Sequence, residues 1–315
     1  TPGPLAVTGG EMGGGRIATL LRERAATDRV VIAESAAATL HHDRDRVAAW
    51  GLEMVSDDDA RLAADTPEMG HIHLADVQPG RIEKLVTTLG VPFNFEVVAV
   101  CAQDHGVAPP GVSHLDFRHN LFAEALSRIP QPHTLLHRSD AVPDNFNRLK
   151  TIAASAAALP TEAVYVMDSG MAAITGAAQD PHAAEAGCVV LDIATSHTVG
   201  AAMQGEEVLG IFEYHTHDVT VDVLDDLLAG LAAGTLFHEA ILAQGGHGAF
   251  IRQALVCDGP CPIIATGPKR RLARDSRFDL IWGAPWGDNM MTGTVGLYTA
   301  LALRLNQDPA GRLLF

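Results

Sequence analysis

Cys188-Val-Val-Leu-Asp-Ile-Ala-Thr-Ser-His-Thr-Val-Gly-Ala-Ala-Met203, followed by Gly205-Glu-Glu-Val-Leu-Gly-Ile-Phe-Glu-Tyr-His-Thr216, reads as three strands joined by two turns. The first apolar run is interrupted at Asp192, and the hydroxyl residues Thr195, Ser196 and Thr198 follow with His197 among them. The third run ends in Glu213, His215 and Thr216. Polar groups crowded onto strand ends are costly unless they face water or a ligand. The stretch therefore predicts a site as well as a sheet.

Other apolar runs end in the same manner. Glu96–Ala102 leads into Gln103-Asp104-His105-Gly106, Ala163–Met167 into Asp168-Ser169-Gly170, and Cys261–Ala265 into Thr266-Gly267. Open α/β sheets keep their sites at the carboxyl ends of strands. Between these runs the apolar spacing predicts helices over 16–26, 36–50, 79–89, 117–129, 147–159, 171–178, 221–231, 237–244 and 290–305. Strands alternating with helices give an α/β class, and the hairpin that opens the second half points to a mixed sheet. The 315 residues suggest two domains, 1–183 and 184–315, with the linker at Gln179–Gly187.

The chain is 47% hydrophobic and carries a net charge of -16, with 22 Lys and Arg against 38 Asp and Glu. It can bury a core, and it is a poor nucleic-acid binder because phosphate neutralisation needs clustered cations. Lys269-Arg270-Arg271 is the one short basic cluster. No stretch is long and apolar enough to span a membrane. Four cysteines are too few for a secreted disulfide framework, so the expected compartment is the reducing cytoplasm. Cys257 and Cys261 are spaced to pair or to share a metal. The first residue is not Met and an apolar run begins almost at once, which predicts an N-terminal domain lacking part of its chain.

Two motif classes carry chemistry. Gly13, Gly14 and Gly15 lie in a loop between a strand at 4–8 and a helix, an arrangement that presents backbone N–H groups to an anion, though the spacing matches neither the P-loop nor the dinucleotide fingerprint. The second class is histidine. His215 and His217 alternate with Glu213 on one strand face and could hold a transition metal such as Zn2+, with His197, His105 and His247 near other strand ends. His71-Ile-His73 shows the same period-two spacing, while His41 and Asp45 share a helix face.

The stretches Thr8-Gly-Gly-Glu-Met-Gly-Gly-Gly15, Gln103-Asp-His-Gly106, Met167-Asp-Ser-Gly170, Leu191-Asp-Ile-Ala-Thr-Ser-His-Thr198, Gly210-Ile-Phe-Glu-Tyr-His-Thr216, Gly245-Gly-His-Gly248, Thr266-Gly-Pro-Lys-Arg270 and Ala284-Pro-Trp-Gly-Asp288 span nearly the whole chain. Together they resemble a prokaryotic family built on a domain of unknown function and labelled as pyruvate formate-lyase activating enzymes. That label implies a C-x3-C-x2-C iron–sulfur motif. Cys257 and Cys261 supply its first spacing, and no third cysteine completes it.

More loosely, the strand, Asp192 and hydroxyl turn resemble the second phosphate element of the actin-like ATPase superfamily, the acetate and sugar kinases, heat-shock chaperones and actins. This resemblance implies two ribonuclease H-like domains of mixed sheets flanked by helices, here with the N-terminal strands missing. It implies Mg2+ and ATP as ligands. Asp192 would organise metal or water, with Asp168 and His197 as further catalytic candidates. Thr195, Ser196, Thr198, Lys269 and Arg270 would contact phosphates, Thr266 would be a further phosphate- or nucleotide-binding residue, and Gly267 would lie under the adenosine.

Asp104, His105, Glu213, His215, His247 and Asp288 are expected as further polar site groups. The leading expectation is a small-metabolite kinase or ATPase. A metal-dependent hydrolase or lyase working from the His/Glu hairpin is the first alternative. A non-catalytic protein binding a small molecule is the second, favoured by Ala194, Thr195 and Ser196 standing where the superfamily carries glycine.

Overall fold

The computed structural model describes residues 3–11, 14–41, 43–109, 112–183, 187–257 and 259–309. In chain order its elements are β1 (Leu5–Thr8), α1 (Arg16–Ala25), β2 (Val30–Ala33), α2 (Glu34–Leu40), α3 (Arg44–Ala48), β3 (Glu53–Val55), α4 (Asp57–Ala64), β4 (Gly70–His73), α5 (Pro79–Thr88) and β5 (Phe95–Ala102). They continue with α6 (His114–Arg128), β6 (His137–Arg138), α7 (Asn147–Ala156), β7 (Thr161–Asp168), α8 (Ser169–Ala177), β8 (Cys188–Ile193), β9 (His197–Gln204) and β10 (Glu207–His215). The last are α9 (Val221–Ala233), α10 (His238–Ala243), β11 (Gly248–Ile251), β12 (Ile263–Thr266), β13 (Leu280–Trp282) and α11 (Thr292–Arg304). The class is α/β, with three sheets flanked by helices.

The chain forms two compact units, residues 1–98 with 146–164 and residues 99–145 with 165–315. It passes between them within β5, between Asn145 and Phe146, and within β7, and not at a linker near 183. These two strands, with β6, make a three-stranded sheet in the order β5-β7-β6. The crossings within β5 and β7 lack the Pro, Gly or polar composition that marks a linker in sequence, whereas the one at Asn145 follows Pro143-Asp144.

The first unit holds a four-stranded parallel sheet in the order β3-β2-β1-β4. β1 and β2 are buried at every residue, as continuous apolar strands with both faces covered must be. Buried Glu11 accepts from Val77 N at 3.2 Å and from Ser155 Oγ at 2.5 Å, which anchors the chain after β1. The helix expected over 36–50 is two helices. The Asp43 carboxylate accepts from Asp45 N and Arg46 N, and this cap starts α3 afresh.

The second unit is built on a six-stranded sheet in the order β11-β10-β9-β8-β12-β13. β8, β9, β10 and β11 form an antiparallel meander, and β12 and β13 run parallel to β8. Leu191, Phe212 and Tyr214 from this sheet pack with Leu224, Leu227, Leu228 and Leu231 of α9 in one core. Thr220 caps the start of α9 through Val223 N, and Gly234 ends it in the left-handed conformation that suits glycine.

On the other side, α8 is buried from Met171 to Ala177 and lies against α11. Gly176 and Gly296 make that approach possible. A Cβ on either would be driven into a backbone carbonyl of the opposite helix, Thr292 O or Ala172 O. No helix among the described residues is long and apolar enough to cross a membrane.

Candidate functional site

A cavity of about 360 Å³ opens in the second unit at the carboxyl ends of β8, β10 and β12. Asp192 and the turn Ala194–His197 line it, together with Gln103, Arg118, Glu213, Gly267, Asn289 and the first residues of α11, Thr292 and Gly293. That volume lies within the range of small-ligand pockets.

Asp192 and Thr266 are register partners on the adjacent strands β8 and β12. The Thr266 hydroxyl, fully buried, lies 3.1 Å from Asp192 Oδ1 and 3.3 Å from Leu191 O. Burial pushes the Asp192 carboxyl up to about 6, against the pull of the Thr266 hydrogen bond. Gly267 follows with φ at +92°, and a Cβ there would sit 2.5 Å from Ile193 O and 2.8 Å from Asp192 Oδ1. The close approach and the positive φ both require glycine.

Arg118 of α6 is buried beneath this cavity wall. Its guanidinium donates to Asp168 Oδ2 at 3.0 Å, to Asp104 O at 3.0 Å, and to Glu213. Burial alone would lower its pKa, but the two carboxylates outweigh it and hold Arg118 above its ordinary range. Burial alone would raise the Glu213 carboxyl. Arg118 above all, with His247 and His197, holds it well below the carboxylate range. Gln103 Nε2 donates to Glu213 at 3.1 Å. Asp168 is fully committed, because Oδ1 caps α8 through Gly170 N and Met171 N while Oδ2 serves Arg118.

Three imidazoles meet beside Glu213. His197 and His215 stand opposite each other on β9 and β10, and His247 immediately precedes β11. Ring centroids are 4.8 Å apart for His197 and His215, 5.0 Å for His197 and His247, and 4.1 Å for His215 and His247. One nitrogen from each can be chosen so that all lie within 4.8 Å of one another. Burial pushes His197 down to about 3 and lowers His215, so both rings are neutral at pH 7.

A family model described as "Putative pyruvate format-lyase activating enzyme (DUF1786)" matches residues 12–272. The chain belongs to this family. No curated protein matches it. The activity in the family's description is not written in this member's cysteines. Cys257 and Cys261 are joined in a disulfide, Cys101 and Cys188 are free thiols, and the C-x3-C-x2-C run is absent from the sequence.

The structure of this family member separates the expected site residues into those at the cavity and those elsewhere. Asp192, Thr195, Ser196, His197, Glu213 and Gly267 line it, while His215 and His247 stand behind His197. Thr198 is wholly buried, with its hydroxyl 3.1 Å from that of Thr216, and stitches the hairpin instead of facing ligand. Lys269 is exposed and Arg270 donates to Gly283 O under Trp282, so neither side chain lines the cavity. Buried Asp104 closes a turn through Gly106 N at 2.8 Å, and exposed Asp288 caps a short turn through Met290 N.

His105 is exposed, 5.9 Å from the His197 ring. His217 does not share a strand with His215. It follows in a 3-10 turn, mostly exposed, with Nε2 3.3 Å from Asp218, so His215, His217 and Glu213 do not form the expected ligand set. Gly14 and Gly15 belong to the first unit at the start of α1, and Gly13 lies outside the described residues. His71 and His73 also belong to the first unit, both within 2.9 Å of the Thr8 hydroxyl.

Arg118, Asn289 and Thr292 are the site residues that sequence reasoning missed. Arg118 had a legible signal, since it falls with Phe122 and Leu126 on the buried stripe of α6, where a cation needs partners.

Proposed function

We propose that the second unit binds the phosphate groups of a nucleotide with Mg2+, and that the protein is a small-metabolite kinase or ATPase. The observation that carries this reading is one juxtaposition. Asp192, a half-buried carboxylate, shares a cavity with the hydroxyl turn Thr195-Ser196 and with the start of α11, which has no side-chain cap. A helix N-terminus and free hydroxyls suit phosphate, and a carboxylate beside them suits a hard cation.

The sheet supports the same reading. A meander of β10, β9 and β8 continued by parallel β12 and β13 is consistent with a ribonuclease H-like half of an actin-like ATPase, in which Asp192 would organise the metal. Gly267 leaves room where the adenosine would lie. With the phosphates bound, Mg2+ would supply charge neutralisation, and most of the rest of the chemistry is positioning. Thr195 and Ser196 would donate to phosphate oxygens, the α11 amides would complement their charge, and Asp192 would help to hold the ion.

Isothermal titration of Mg-ATP into the full chain tests this. One saturable site is expected, weakened at least tenfold in Asp192→Asn. Absence of saturable binding by both Mg-ATP and Mg-ADP would sink the proposal.

A further inference from the structure

The antiparallel ladder delivers three histidines to one point. His197 and His215 are register partners across β9 and β10, and His247 N donates to Glu213 O at 2.8 Å, which sets its ring beside theirs. Side chains directly opposite on neighbouring strands lie close enough to act together.

His247 is only 3% exposed, yet both its ring nitrogens lack a hydrogen-bond partner, and so does His197 Nε2. A buried imidazole left unsatisfied is costly, and an unsatisfied nitrogen on each of two adjoining rings, His197 and His247, asks for a common partner. These atoms belong to neither the Asp192 carboxylate nor the hydroxyl turn.

We infer that His197, His215 and His247 bind one divalent transition-metal ion, of the class that prefers imidazole, in the wall of the cavity. The donor set selects the ion. Three imidazole nitrogens suit Zn2+, Co2+ or Fe2+ and do not suit Mg2+, which prefers oxygen. The present separations of up to 4.8 Å exceed the roughly 3.4 Å that tetrahedral Zn–N bonds imply, so the rings draw inward on binding.

Glu213 supplies the supporting carboxylate. Its Oε1 is 3.8 Å from His247 Nδ1, too far for a hydrogen bond here, and a small inward shift of the ring on binding would let it accept that N–H. Three protein ligands would leave a fourth position open to water. The ion is distinct from the Mg2+ of the nucleotide reading and does not depend on it.

The test is titration of the chelator-treated full chain with Co2+, followed by optical absorption in the absence of nucleotide. Expected are d–d bands that saturate at one Co2+ per chain and disappear when Zn2+ displaces it. His197→Ala and His247→Gln, each checked by circular dichroism, are expected to weaken binding at least a hundredfold, while His217→Ala leaves it unchanged. Should His247→Gln fail to fold, the half-buried His197→Ala decides alone. Wild-type affinity in His197→Ala, or no stoichiometric Co2+ binding by the wild-type chain, overturns the inference.

Discussion

Thr266 Oγ1 stands 3.1 Å from Asp192 Oδ1, and among the described residues no other hydrogen bond reaches that carboxylate. A partly desolvated carboxylate with one neutral partner is held at a cost. It carries that cost at the point where β8 and β12 open onto the cavity.

The first expectation concerns the pH dependence of that cost. The folded pKa of Asp192, about 6, lies above the unfolded value of 3.8. The folded state therefore binds the proton more tightly, and stability falls as pH rises between these values. Above pH 6 the full penalty applies, on the order of 3 kcal/mol. Asp192→Asn removes it, so the variant is expected to be more stable than wild type at pH 7.5 and to lose that advantage towards pH 4. Urea denaturation of both proteins across this range gives the answer. A difference that does not change with pH would show that Asp192 carries no such strain.

Arg118 provides the opposite case. Its guanidinium satisfies Asp168 and Glu213 together, and removing it leaves two buried carboxylates without a cation. Arg118→Met is expected to cost about 3–5 kcal/mol at pH 7. Because Arg118 holds the Glu213 carboxyl low, its contribution is present above the unfolded carboxylate pKa and is lost on acidification. The loss in Arg118→Met should therefore be smaller at pH 4. Adding Glu213→Gln to Arg118→Met should recover part of the stability at pH 7. A double variant as unstable as the sum of the two singles would argue against the pair.

The meander from β8 to β10 was legible because apolar strands covered on both faces read as long uninterrupted runs, and its polar ends marked Asp192, His197 and Glu213. Three features were not legible. Two of the three crossings between the units fall within β5 and β7, where the composition looks like core. Asp43 restarts a helix where the apolar period continues, a signal that a cap reading of Asp43 would have caught. His247 joins His197 and His215 only because β11 pairs with β10, and a four-residue strand behind Gly245-Gly246 gives little period to read. The placing of Thr198 shows the converse. A hydroxyl at a strand end reads as a ligand group, but here register turns it towards Thr216 and the core.

The packing of α8 on α11 is expected to tolerate no side chain at its crossing. In Gly176→Ala the new methyl meets Thr292 O and the Gly296 amide, and in Gly296→Ala it meets Ala172 O and the Gly176 amide. Neither obstacle is a flexible side chain, so backbone must move. Each variant should lose about 3 kcal/mol or more, the scale of severe overpacking. Gly80→Ala on α5 meets nothing within 4 Å and should gain up to about 1 kcal/mol from helix propensity. Thermal melts of the three variants distinguish the outcomes. Equal melting temperatures for Gly176→Ala and wild type would mean the helices are further apart than described.

Gly267 couples stability to the cavity. Its φ of +92° disfavours any side chain, and its absent Cβ would lie 2.8 Å from Asp192 Oδ1. Gly267→Ala therefore strains the turn after β12 and presses on the carboxylate at the same time. The expected cost is about 1–3 kcal/mol from the backbone conformation alone. Ligand affinity should fall further than stability does, because the displaced carboxylate and the lost space both lie inside the cavity. The contrast with Asp192→Asn is sharp, since that variant should lose affinity while gaining stability at neutral pH. Measuring denaturation and Mg-ATP titration side by side on the two variants separates strain from chemistry. If Gly267→Ala lost stability but bound Mg-ATP as wild type does, the nucleotide would not approach the end of β12, and the adenosine position in the proposed reading would be wrong.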